Sequence, residues 1–201
     1  MRGCFMRSVL VGLLVLFCSV CPAPSHADPC HPAELFVADT ADPLFELQAD
    51  ATIVRSGVAV TGSTALDGIW WSDARRQLSF ERSREFHLCS TDPSALHRAG
   101  EALRRQFDQE SVLSFDYLPR QASTAIIITA PNIDIARLGD ALAADPTART
   151  RLRGGSVTAT DHTLILVADR ADRELAQKLV SAAGGNWDDV QTDYGTSEFV
   201  Q

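Results

Sequence analysis

Residues 124–146 read TAIIITAPNIDIARLGDALAADP, and the fold is decided here. The β-branched run over 124–129 predicts a strand. Pro131 and Asn132 open a helix in which Ile135, Leu138 and Leu142 fall at i, i+3 and i+7, an apolar stripe on one face. Asp145-Pro146 stops or kinks that helix, and Gly154-Gly155 breaks the chain again. Toward the C-terminus, 156–160 and 163–168 read as two strands around a tight turn at Asp161-His162. A second helix starts near Arg170 and places Leu175, Leu179 and Ala182 on one face. Gly184-Gly185 ends it, since glycine accepts the left-handed cap conformation. A last strand lies within 190–199, interrupted near Gly195. The order over 122–201 is therefore β-α-β-β-α-β, the split βαβ pattern of ferredoxin-like folds.

The N-terminal half ends in a similar way. Leu35-Phe36-Val37 predicts a strand, and 52–60 a second one interrupted at Gly57. Residues 68–71 and 78–88 read as a hairpin across Ser72-Asp73-Ala74. Asp92 is an N-cap with Pro93 at the first helical position. Leu96, Ala99, Leu103 and Phe107 form that helix's apolar face, and 111–117 returns as a strand. Residues 39–50, with Pro43 and scattered acids, read as an irregular loop. The expected class is α+β: two ferredoxin-like modules, 28–119 and 122–201, the first without a clear first helix.

The segment Glu81-Arg82-Ser83-Arg84, followed by a helix and then Phe107-Asp108-Gln109-Glu110-Ser111-Val112-Leu113, resembles the C-terminal part of a family of small exported bacterial proteins of uncharacterised function. The resemblance spans residues 77–118. It implies a ferredoxin-like domain and no activity. The chain departs from that family in its missing first helix and in its whole second module.

The chain has 201 residues, 45% hydrophobic and 22% charged. That composition is ordinary for a globular protein and excludes a disordered tail, a collagen-like fibre and a multi-pass membrane protein. Residues 1–27 read as a secretory signal. Arg2 and Arg7 supply the basic start, 8–21 is an uncharged apolar run, and Ser25-His26-Ala27 offers a cleavage site before Asp28. The run has 14 residues, short of the roughly 20 that span a bilayer. Lipidation at Cys18 or Cys21 is the lesser alternative, because Phe17 and Val20 rather than small residues precede them. Cleavage removes two bases and no acid, leaving 174 residues at a formal net charge of −10. Such a surface repels nucleic acid and anionic lipid. The expectation is a periplasmic or extracellular protein with no stable membrane anchor after cleavage.

Cys30 and Cys89 are the two cysteines left, and in an oxidising compartment they are expected to form a disulfide. Cys30-His31 and His87-x-Cys89 also admit another reading, in which two thiols and two imidazoles converge on zinc or copper. Arg82 and Arg84 share parity with the core residues Phe80, Phe86 and Leu88. Either the strand slips, or an arginine is drawn to a carboxylate such as Glu110 or Asp116, or the pair forms an anion site. Glu81, Glu85 and His87 take the other face. Trp70-Trp71 must point to opposite faces of a strand, so one indole fills the seam between modules or anchors a partner. Trp70, Trp71, Arg82 and Arg84 are thus the candidate binding residues. Trp187, after the glycine stop, is expected to plug the end of the second sheet.

No catalytic residue is assigned. G-x-S-x-G, H-E-x-x-H, Walker and G-x-G-x-x-G signatures are all absent. His97 reads as solvated, and His162 falls in a turn. No cofactor is expected. The sequence favours an exported, non-catalytic protein that binds a protein partner or small ligand through sheet faces or the inter-module groove. The alternatives are a small exported hydrolase with an unrecognised site and a metal-binding protein using the Cys/His set.

Overall fold

The computed structural model describes residues 30–40, 42–67, 82–90 and 92–201. The first half runs β1 (His31–Ala38), α1 (Phe45–Arg55), β2 (Ala59–Asp67), β3 (Ser83–Ser90), α2 (Pro93–Gln106) and β4 (Val112–Tyr117). Its strands lie in the order β4-β1-β3-β2, all antiparallel. The second half runs β5 (Ala125–Ala130), α3 (Ile135–Ala144), α4 (Pro146–Arg151), β6 (Leu152–Thr158), β7 (Leu164–Asp169), α5 (Arg173–Ala182) and β8 (Gln191–Val200). Its order is β8-β5-β7-β6, the same arrangement repeated. Both modules are ferredoxin-like, as the alternation of strand and helix patterns predicts.

The two sheets are not separate. They join edge to edge into one closed eight-stranded barrel. Closure removes the free strand edges that an open antiparallel sheet would expose. One seam is long: β4 pairs with β8 from Val112↔Val200 to Tyr117↔Gly195. The other is short, with Leu66↔Thr158 and Asp67↔Val157 joining β2 to β6. Gly195 is required at the long seam. A Cβ there would stand 2.2 Å from the Asp116 carbonyl oxygen and 2.7 Å from the Phe115 ring.

Strand alternation then sorts the core into layers. Leu35, Val37, Phe86 and Leu88 point outward and bury Phe45 and Ile53 of α1 with Ala99 and Leu103 of α2. Ile126, Ile128, Leu164 and Leu166 do the same for α3 and α5 through Leu138, Leu142, Ala176 and Val180. The opposite residues fill the barrel: Phe36, Leu66, Leu113, Phe115, Ile127, Ile165 and Val167. An eight-stranded barrel is just wide enough for side chains to fill it, so any polar group placed inside is conspicuous.

Several sequence expectations are corrected. The first module does have its first helix. Phe45, Ala49, Thr52 and Ile53 form the buried stripe of α1. Leu44, Leu47 and Val54 are 54–67% exposed around the same helix, and this all-round apolarity hides its face. The strand expected over 52–60 is therefore the last turn of α1, the left-handed Gly57 (φ 89°) and the start of β2. Gly154-Gly155 does not break the chain. It lies within β6, whose pairing with β7 slips between Leu152 and Gly154. The proposed hairpin turn, with Trp70 and Trp71, lies outside the described residues. In α2, the Asp92 carboxylate accepts from the Ser94 N–H, the cap read from the sequence.

Candidate functional site

The inner faces of β1 and β3 depart from the apolar rule. Glu34 on β1 and Glu85 and His87 on β3 share the interior parity of Phe36, and Glu34 stands directly opposite His87 across the ladder. Both carboxylates are buried, Glu34 at 7% and Glu85 at 5% exposure. His87 is about a third exposed and opens the cluster to solvent.

The hydrogen bonds are directional. His87 Nδ1 lies 2.9 Å from Glu34 Oε2, and His87 Nε2 lies 2.9 Å from Thr64 Oγ1 on β2. Tyr117, from β4, donates its hydroxyl to Glu34 Oε1 at 3.2 Å. Four strands therefore converge on one group of side chains. Glu85 is different. Its carboxylate accepts no hydrogen bond from any described residue, although it faces Glu34. The buried hydroxyls of Ser83 and Ser197, on β3 and β8, also lack partners among the described residues.

These surroundings set the proton affinities. Burial, followed by the neighbouring Glu34 charge, pushes the Glu85 carboxyl up to about 7, with His87 acting in the opposite sense. The hydrogen bond to Glu34 holds the His87 imidazole above its usual value, against a burial effect that lowers it. Burial and the Glu34 charge keep the Tyr117 phenol protonated, as its donor role requires. Chemically, the cluster offers two carboxylates and an imidazole to a cation or to a ligand rich in N–H donors. One ligand atom from each of Glu34, Glu85 and His87 can be chosen so that all three lie within 4.8 Å of one another.

The residues singled out from sequence disperse. Cys30 and Cys89 are joined as a disulfide, with Cα atoms 5.2 Å apart, at the barrel end where β1 starts and β3 finishes. The sulfurs are thus tied to each other, and His31 pairs with Asp116 at 2.7 Å, so the Cys/His quartet does not converge. His87 alone of that set enters the cluster. Burial raises the Asp116 carboxyl, and the His31 charge works against that rise. Arg84 finds neither Glu110 nor Asp116. It points outward to Glu46 at 3.2 Å, Asp39 at 3.8 Å and the Ser63 hydroxyl at 2.9 Å. Arg82 is exposed beside it, on a cleft of about 170 Å³ shared with Asp39, Asp42 and Glu46. Those acids make the cleft a poor anion site. His97 is exposed and meets Glu198 at 3.2 Å, and His162 takes a left-handed turn position (φ 56°). Trp187 packs against the second module's core with the Arg173 guanidinium 5.1 Å from its ring centroid.

Sequence reasoning missed Glu34, Thr64 and Tyr117 altogether. A signal existed for one of them. Glu34 is a charge of interior parity beside Leu35-Phe36-Val37, and an acid inside a short apolar strand asks for a partner.

No protein-family model matches the chain, and no curated protein matches it. Similar solved structures include a proposed glycine cleavage system transcriptional repressor, at 13% identity and a TM-score of 0.32 over 86% of this chain and 98% of that one. A proposed monooxygenase from Lactobacillus acidophilus NCFM matches at 9% identity and 0.28, over 85% and 96% of the two chains. An anthrone oxidase-like protein matches at 10% and 0.26, over 87% and 94%. At these scores the neighbours carry no functional argument, and the fold rests on the strand order given above.

Proposed function

We propose that this protein is an exported, non-catalytic binding protein whose barrel takes a small cationic ligand at the end lined by Glu34, Glu85 and His87. The observation that carries the reading is the Glu85 carboxylate, 5% exposed and without a hydrogen-bond donor among the described residues. A buried carboxylate without a partner costs several kcal/mol unless it is neutralised or meets a donor. No arginine or lysine among the described residues pairs with Glu34 or Glu85 to serve that purpose. The formal charge of −10 expected after cleavage of residues 1–27 also draws cations.

Thermal melting with a panel of amines, guanidines and metal ions tests this reading. A fitting cation at 100 times its Kd should raise Tm by about 5–10 °C. Glu85→Gln should abolish the rise. A panel that shifts nothing, or a shift that survives Glu85→Gln, contradicts the proposal.

Export is part of the same reading. The signal-like start and the disulfide-bonded cysteines support it, and no helix among the described residues is long and apolar enough to cross a membrane. Sequencing the N-terminus of the exported fraction should return Asp28 first. Recovery of the uncleaved chain from the cytosol, with both thiols reduced, contradicts it.

A further inference from the structure

The geometry points to a divalent transition-metal site formed by Glu34, Glu85 and His87, with Zn²⁺ its best-fitting occupant. This inference rests on the cation-binding reading above and names the cation. Three features distinguish the cluster from an acidic patch.

The first is the donor set. Two carboxylates and an imidazole suit Zn²⁺ and its first-row neighbours, whereas Mg²⁺ and Ca²⁺ take oxygen donors almost exclusively. Three protein ligands would leave a fourth position for water or a ligand.

The second is the arrangement of the ligand atoms. His87 Nε2 lies within hydrogen-bond reach of Thr64 Oγ1, which can accept an N–H there, so a metal at Nδ1 would replace the Nδ1···Glu34 hydrogen bond and release its proton. Tyr117 holds Glu34 Oε1, so Oε2, which pairs with His87 Nδ1, is the oxygen that would turn to the metal. Metal-binding imidazoles and carboxylates are regularly oriented by such outer partners. Here both partners come from strands other than the one carrying the ligand, Thr64 from β2 and Tyr117 from β4.

The third is Glu85. Among the described residues it is the member with no hydrogen-bond donor, nine-tenths buried and within 4.8 Å of the other two. Ordinary structural carboxylates at that burial are paired. A cation would give it the partner the described side chains do not.

The test is calorimetric titration of the purified, disulfide-intact protein with Zn²⁺ after chelator treatment and desalting. One Zn²⁺ per chain is expected, not displaced by millimolar Mg²⁺ or Ca²⁺. His87→Ala and Glu85→Gln should each weaken binding by more than about 100-fold, and Thr64→Val and Tyr117→Phe by about 10-fold. Should a variant fail to fold, the wild-type protein still decides: Co²⁺ loading should give visible d–d bands, and Zn²⁺ should shift the His87 ring resonances. Absence of stoichiometric Zn²⁺ binding, or binding indifferent to both His87→Ala and Glu85→Gln, overturns the site. Glu85-dependent stabilisation by an organic cation without any bound Zn²⁺ overturns the metal and leaves the binding reading in place. Failure of both removes the two together.

Discussion

Glu34 and His87 face each other across the β1–β3 ladder, carboxylate to imidazole at 2.9 Å, inside a barrel otherwise lined by Phe36, Phe115 and Ile127. The pairing of β1 with β3 inside the first module brings the two together, and barrel closure shields them from solvent. In an open first-module sheet the same side chains would look into water, where such a pair contributes little. Within the barrel they are partly desolvated, and their protonation becomes linked to folding.

Stability of the metal-free protein should therefore fall as pH rises from about 5 to 8. Glu85 is raised from 4.5 to about 7, so the folded state holds a proton that the unfolded state has released. For a raised acid that advantage is present at low pH and is lost as pH climbs toward the folded value. The displacement is worth about 3 kcal/mol. His87 is raised too, and its contribution is present below 6.5 and lost above it, the same sense. Denaturant melts at pH 5 and pH 8 measure the difference. Glu85→Gln should flatten the profile and be the more stable protein at pH 8. A stability that climbs over this range contradicts the assignment.

Reducing the Cys30–Cys89 bond should cost about 4 kcal/mol, the chain-entropy value for a loop spanning 59 positions. The loss should concentrate at the start of β1. Hydrogen exchange before and after reduction should show His31 to Glu34 losing protection before the second module does. Uniform loss, or none, counts against this placement of the constraint.

Gly195→Ala should strain the β4–β8 seam, because its Cβ would collide with the Asp116 carbonyl and the Phe115 ring. Overpacking of this kind costs about 1–3 kcal/mol. A substitution without effect on the melting midpoint would show that the seam yields.

Arg84 is a structural cation in this fold. It compensates Asp39 and Glu46 outside the barrel and lowers the proton affinity of Asp50, whose carboxyl burial otherwise raises. Arg84→Ala should destabilise by about 1–3 kcal/mol while leaving cation binding at Glu34, Glu85 and His87 within two-fold of wild type. A large loss of binding without loss of stability would give Arg84 a direct ligand role instead.

The second module was legible because its signals are local. Ile126 to Ile128, Leu138 with Leu142, and Leu175 with Leu179 mark strand and helix faces within short windows. Helix α1 was not, since Leu44, Leu47 and Val54 surround a buried stripe that includes the polar Thr52 and the small Ala49. Barrel closure left no side-chain signature, because edges such as β2 and β6 pair through their backbones. The cluster was the least visible. Glu34 lies 53 positions from His87 and 83 from Tyr117, and only the pairing of β1 with both β3 and β4 brings them together.

Anomalous diffraction from crystals soaked in Zn²⁺ and back-soaked to remove loosely held ions tests the central claim most directly. The account predicts one strong peak inside the barrel, about 2.0–2.2 Å from Glu34 Oε2, a Glu85 oxygen and His87 Nδ1. An empty barrel, with zinc only on surface residues such as His97 and Glu198, would contradict it.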